Sequence, residues 1–177
     1  MFPTLTLSVL LALVPLQSKG EVRAIVGPWK ISVPEGVILL IKKGDQFGAL
    51  RFSAVKPDQE KGWGSAQFES AFQGDGSGSF SRSNILVGKG KVHAKSLVGI
   101  GRVSFQVGHT TLKIGPYKFY YSFPNWVDMW PAGELADDYG FEFSLVQAKE
   151  FSAIDVTAPS LKWYRFDQNR RIEINVP

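Results

Sequence analysis

Val37-Ile38-Leu39-Leu40-Ile41-Lys42 is a run of five apolar residues closed by a lysine, followed by Lys43-Gly44-Asp45-Gln46 and then by residues 47–55. A strand with one wet face alternates apolar and polar residues, because successive side chains point to opposite sides. An unbroken apolar run bounded by turn residues therefore predicts a strand covered on both faces. Taken with residues 47–55, it predicts a hairpin that turns within residues 43–46.

The same period of two continues outward along the chain. Residues 66–72 and 79–87 read as strands flanking Gly74-Asp75-Gly76-Ser77-Gly78, a loop of residues that tolerate positive φ. Val103, Phe105 and Val107 oppose Arg102, Ser104 and Gln106; beyond a turn at Gly108-His109, Thr110, Leu112 and Ile114 continue a matching face. Tyr117, Phe119, Tyr121 and Phe123 form an aromatic stripe opposite Lys118, Tyr120 and Ser122, and Phe141, Phe143 and Leu145 alternate with Glu142 and Ser144. Residues 161–167 and 170–176, joined by Gln168-Asn169, read as a closing hairpin with Ile172, Ile174 and Val176 inward. Trp29 and Trp163 read as core aromatics, and residues 132–138 are the one helical candidate.

These segments amount to about ten to twelve strands at the spacing of sandwiches and barrels rather than βαβ units. The predicted fold is all-β: an antiparallel β-sandwich, jelly-roll-like or another two-sheet arrangement, with little helix. An outer-membrane barrel would need strands of about 9–11 residues with continuous outward alternation, and most segments here are shorter.

Composition narrows the chemistry. The chain has 177 residues, 44% of them hydrophobic, with 20 Lys plus Arg against 16 Asp plus Glu. That is enough for one domain with a core and too apolar for a disordered chain. With no Cys, disulfides, thiol nucleophiles, Cys-ligated zinc and iron–sulfur clusters are all excluded. His93 and His109 are the only histidines, which excludes a multi-histidine metal site, and no cofactor is expected.

Residues 5–16 form an apolar stretch too short to span a bilayer, and Ser18-Lys19-Gly20 places small residues before Glu21. That pattern predicts a secretory signal peptide over residues 1–20, cleaved near Gly20, although no base precedes the apolar run. The expected product is a single all-β domain, residues 21–177, secreted or periplasmic, without a transmembrane segment. It would carry 19 bases against 16 acids, a net charge of +3, too small for a nucleic-acid partner to be expected.

Charge is sorted along the chain. No acid falls between Asp75 and Asp128, a stretch holding Arg82, Lys89, Lys91, Lys95, Arg102, Lys113 and Lys118, whereas residues 128–142 hold five acids and no base. Lys89, Lys91, His93 and Lys95 alternate with Gly90, Val92 and Ala94, which predicts a basic face on one strand. Such a face suits an anionic membrane or polymer, and lysines on an edge strand also block edge-to-edge aggregation.

Trp126-Val127-Asp128-Met129-Trp130 offers a second candidate. In extended chain Trp126, Asp128 and Trp130 share one face, and a carboxylate between two indoles suits the apolar face and hydroxyl edge of a sugar. Pro124, Pro131 and Gly133 predict a loop or strand end there, with Trp63, between Gly62 and Gly64, as a further candidate.

Catalytic patterns are thin. Glu134, Asp137, Asp138 and Glu142 are close in sequence, as glycoside-hydrolase acids could be, but their spacing defines no opposed pair. No Gly-x-Ser-x-Gly elbow occurs. The loop at residues 74–79 is oxygen-rich like a calcium loop but lacks the further carboxylates such a site needs, so it reads as a turn. The expected function is an exported, non-enzymatic binding or envelope-associated module for a glycan or cell-envelope polymer. The alternatives are a surface-interaction protein using the basic strand and a carboxylate-dependent glycoside hydrolase.

Overall fold

Ile38, Leu39, Leu40 and Ile41 are all fully buried, and the strands around them explain why. A computed structural model describes residues 23–27, 30–58, 63–81, 85–95, 98–99, 102–103, 111–114, 117–122, 127–132, 141–166 and 171–176. In chain order the strands are β1 (Arg23–Gly27), β2 (Lys30–Val33), β3 (Ile38–Lys43), β4 (Gln46–Asp58), β5 (Trp63–Gln73), β6 (Leu86–Lys95), β7 (Val98–Gly99), β8 (Arg102–Val103), β9 (Thr111–Ile114), β10 (Tyr117–Ser122), β11 (Val127–Ala132), β12 (Glu142–Val146), β13 (Tyr164–Arg165) and β14 (Ile172–Asn175). One 3-10 turn, Phe151–Ala153, is present, and there is no α-helix among the described residues. Correspondingly, no helix there is long and apolar enough to cross a membrane.

Every strand pairing is antiparallel. One six-stranded sheet runs β14-β1-β2-β11-β10-β9, a second runs β13-β12-β3-β4-β5-β6, and β7-β8 form a short ribbon. The chain is therefore mostly antiparallel β, as predicted. The hairpin at Lys43–Gln46 forms as expected, with Lys43 opposite Gln46 and Gly44 at φ +59° supplying the turn.

A single buried cluster draws on both six-stranded sheets. Ile31, Val33, Ile114, Val127 and Ile174 come from the first, and Leu39, Ile41, Leu50, Phe52, Phe143 and Leu145 from the second. Ile38 and Leu40 point the other way. They join Phe47, Ala49 and Ala71 in a second cluster closed by Phe80, Ile154 and Val156. The chain after β12 thus covers part of the outer face of the second sheet, which is why β3 carries apolar residues on both sides. Arg51 fastens this cover: its Nη1 donates to the Lys149 carbonyl at 2.7 Å and the Ala148 carbonyl at 3.3 Å, and its guanidinium carbon lies 5.5 Å from the Phe151 ring centre. Trp163 is half-buried in this outer cluster rather than in the shared core, packed on Phe47 at 5.9 Å with Lys42 Nζ 5.6 Å from its ring centre.

Two strand assignments change. Residues 161–167 and 170–176 do not form a hairpin: β13 pairs with β12 in one sheet and β14 with β1 in the other. The inward residues were legible, since Ile174 and Val176 are buried, but alternation specifies a face and not a partner. The strand expected over 79–87 begins only at Leu86, and Ser79 instead makes an isolated bridge to Asp155. Residues 1–20, Trp29, 104–107 and 133–138 lie outside the described residues.

Candidate functional site

β6 is the edge strand of its sheet and pairs with β5 over ten residues. Antiparallel partners share a face, so the register sorts both strands. Ala66 stands opposite Val92, Phe68 opposite Gly90 and Ser70 opposite Gly88, and Ala66 and Val92 are buried in the shared core. The other face then carries Glu69 opposite Lys89, Gln67 opposite Lys91, Ser65 opposite His93, and Trp63 opposite Lys95. Lys89, Lys91 and His93 are exposed. Lys89, Lys91, His93 and Lys95 thus occupy alternate register positions of an edge strand.

Two glycines make this edge strand possible. A Cβ on Gly90 would stand 2.8 Å from Phe68 Cε1, and one on Gly88 would stand 2.6 Å from Ser70 Oγ. The Phe68 ring occupies the space beside the glycine strand, an arrangement in which an aromatic side chain supports an edge strand poor in side chains of its own.

β4 extends the face by one more strand, through a bulge. Ser53 pairs with Gln67, but Ser65 pairs with Lys56, so one extra residue enters β4 between them. Ala54 takes φ +50° there, and its N–H donates to Glu35 Oε1 at 2.6 Å. Without the insertion Val55 would stand opposite Ser65; with it, Val55 packs against the shared core and Lys56 is exposed. Four rows result across β4, β5 and β6: Arg51–Glu69–Lys89, Ser53–Gln67–Lys91, Lys56–Ser65–His93 and Asp58–Trp63–Lys95.

The first row is internally compensated. Glu69 Oε2 accepts from Arg51 Nη2 at 2.5 Å, and Glu69 Oε1 lies 3.0 Å from Lys89 Nζ. The Arg51 hydrogen bond, then the Lys89 one, hold the Glu69 carboxyl below its ordinary range. The other three rows place Lys56, Lys91, His93 and Lys95 at neighbouring register positions of one face, with Asp58 opposite Trp63.

Asp128 and Trp130 are placed elsewhere, on β11 between β2 and β10 in the first sheet. β11 is interior to that sheet, and Asp128 is the second of its six residues. Pro131 is accommodated because β2 pairs only with Val127, Asp128 and Met129, leaving Pro131 paired to Phe119 alone. Asp128 is in register with Ser32 and Ser122, and Trp130 with Tyr120. Ser32 is only 3% exposed. Trp126 lies outside the described residues, and strand pairing does not bring Trp63 together with Trp130. Of the acids considered for hydrolysis, Glu142 accepts from Lys42 Nζ at 2.7 Å, while Glu134, Asp137 and Asp138 lie outside the described residues.

A feature not anticipated from the sequence is a cleft of about 330 Å³ lined by Ser144, Tyr164, Lys162, Glu173 and Asn175. It lies where β13 and β14 enter different sheets, so reading residues 161–176 as a hairpin concealed it. Comparison of the chain with known protein families, with curated proteins and with solved structures yields no match.

Proposed function

We propose that this chain is an exported β-sandwich binding module, and that the outer face of β4, β5 and β6 binds an anionic polysaccharide. The sandwich reading is supported by the buried cluster that draws on both six-stranded sheets. The binding reading rests on one observation: the bulged register that brings Lys56 onto the same face as Lys89, Lys91 and His93, all four of them exposed.

The chemistry fits a repeating polyanion. Alternate residues on a strand recur about every 6.8 Å, so β6 offers a line of cationic positions instead of one deep pocket. Ser53, Gln67 and Ser65 lie between the cations and supply hydroxyl and amide groups that bond sugar hydroxyls. Trp63 closes the array opposite Lys95 and adds a residue type that stacks on pyranose faces. This combines the glycan and basic-strand expectations on a single surface.

One observation favours an anionic lipid surface as a second reading. Leu86 and Val87, at the start of the basic strand, are 64% and 75% exposed, and apolar residues beside lysines suit a membrane interface. Binding to immobilised heparin and polygalacturonate, against neutral dextran and vesicles containing phosphatidylserine, separates the two. The polysaccharide reading expects salt-sensitive retention on the charged polymers and none on dextran. Retention by vesicles alone would transfer the function to a lipid surface.

A further inference from the structure

β12 loses its neighbour partway along. Phe166 N donates to the Phe141 carbonyl at 3.2 Å, and β13 then pairs with Glu142 and Phe143. Backbone groups in an antiparallel ladder turn to alternate sides, so Phe141, Phe143 and Leu145 all direct theirs toward β13. Residues 161–163, which would continue that pairing, are not in a strand, and the Leu161 N–H donates instead to the Ala158 carbonyl at 3.0 Å. Leu145 is left without a strand partner on that side, although it is only 1% exposed. A backbone N–H and C=O at a buried residue call for partners.

Leu145 lines the cleft of about 330 Å³ together with Lys162, Tyr164, Glu173 and Ile174. Charge of both signs stands at this cleft. Among the described residues Lys162 makes no ion pair, and Glu173 meets only Arg171, at 3.9 Å. An exposed cation and an exposed anion suit a zwitterion, and an unused backbone donor and acceptor suit an amide. A peptide with free ends offers both, whereas a neutral sugar offers neither charge. We propose that the cleft binds a short peptide with free termini, laid along β12 in the line that β13 vacates. Its central residue exchanges N–H···O bonds with Leu145, its carboxylate faces Lys162 and its ammonium group faces Glu173. This is strand addition at a gap in a sheet. Paired residues share a face, and Leu145 belongs to the shared core, so the central side chain is apolar and enters between the sheets, where Ile174 lies. The volume is at the low end of the roughly 300–1,000 Å³ of small-ligand pockets, which limits the ligand to a di- or tripeptide. β13 and β6 are opposite edges of their sheet, so this site acts apart from the polysaccharide face.

The test is calorimetric titration of the full chain with the tripeptide Ala-Leu-Ala. Its N-acetylated, C-amidated and centrally N-methylated forms and the neutral disaccharide cellobiose are titrated alongside. The wild type should bind the free tripeptide with a Kd on the order of 10⁻⁴ M, as suits a ligand of that size. N-methylation removes the N–H offered to the Leu145 carbonyl and should abolish measurable binding. Each blocked terminus should weaken binding about threefold to tenfold. Lys162→Ala, at an exposed position, should bind the free and amidated peptides equally, and Glu173→Gln, also exposed, the free and acetylated ones. Absence of binding at about 10 mM tripeptide would overturn the proposal. Equal affinity for the free and N-methylated peptides, or binding of cellobiose in place of the peptide, would overturn it as well. So would wild-type discrimination between free and blocked termini in both variants.

Discussion

Gly48 of β4 lies against Ile114 of β9, a strand of the other six-stranded sheet: a Cβ on Gly48 would stand 2.9 Å from Ile114 Cγ2. Ile114 is fully buried, and Gly48 stands in register between Ile41 and Phe72. The glycine is thus a packing requirement where β4 meets β9. Gly48→Ala should cost about 1–3 kcal/mol by overpacking. Combined with Ile114→Ala, which empties the same space, it should cost less than the sum of the two single changes in a urea-denaturation cycle. Additive costs would mean that the sheets do not meet there.

The second cluster makes β3 an interior strand in both directions. Leu39 faces the shared core and Leu40 faces the cover formed after β12, and both are 0% exposed. Leu39→Ala and Leu40→Ala should each cost about 2–5 kcal/mol in chemical denaturation. A far smaller loss for Leu40→Ala would show that the cover does not pack.

Glu69 gives stability an acid limb. Its carboxyl is held below the ordinary value of 4.5, first by Arg51 and then by Lys89. A lowered folded value contributes stability that is complete above the unfolded-state pKa and is lost as pH falls through the folded one. Glu69→Gln should therefore cost about 0.5–1 kcal/mol at neutral pH, as befits a partly solvated ion pair. The gap between wild type and variant should close at pH values below 4.5. Arg51→Ala should cost more, because Arg51 also holds the carbonyls of Ala148 and Lys149.

Where local chemistry decides the outcome, the sequence was informative. The unbroken run at 37–41 announced a doubly covered strand, and residues 43–46 announced its turn, because a strand's two faces and a turn's φ values are written in adjacent residues. Residues 161–176 show the limit: the alternation of Ile172, Ile174 and Val176 specified the buried side, but long-range pairing sent β14 to β1 and β13 to β12. The basic face was half legible. Alternation from Lys89 to Lys95 was visible, yet Lys56 joins it only through a bulge whose one-residue shift has no sequence signature, Ala54 being neither glycine nor asparagine.

The central claim is that the β4–β6 face binds an anionic polysaccharide, and charge reversal on that face tests it most directly. The measurement is affinity for heparin and polygalacturonate at several salt concentrations. It compares wild type with Lys56→Glu/Lys91→Glu and with the control Lys162→Glu, an exposed lysine at the cleft. Each lost contact with a charged group should remove on the order of 1 kcal/mol, so the double variant should bind at least about tenfold more weakly, with a shallower salt dependence. Lys162→Glu should match the wild type. Equal weakening by the control and the double variant, or wild-type affinity in the double variant, would contradict the assignment of this face.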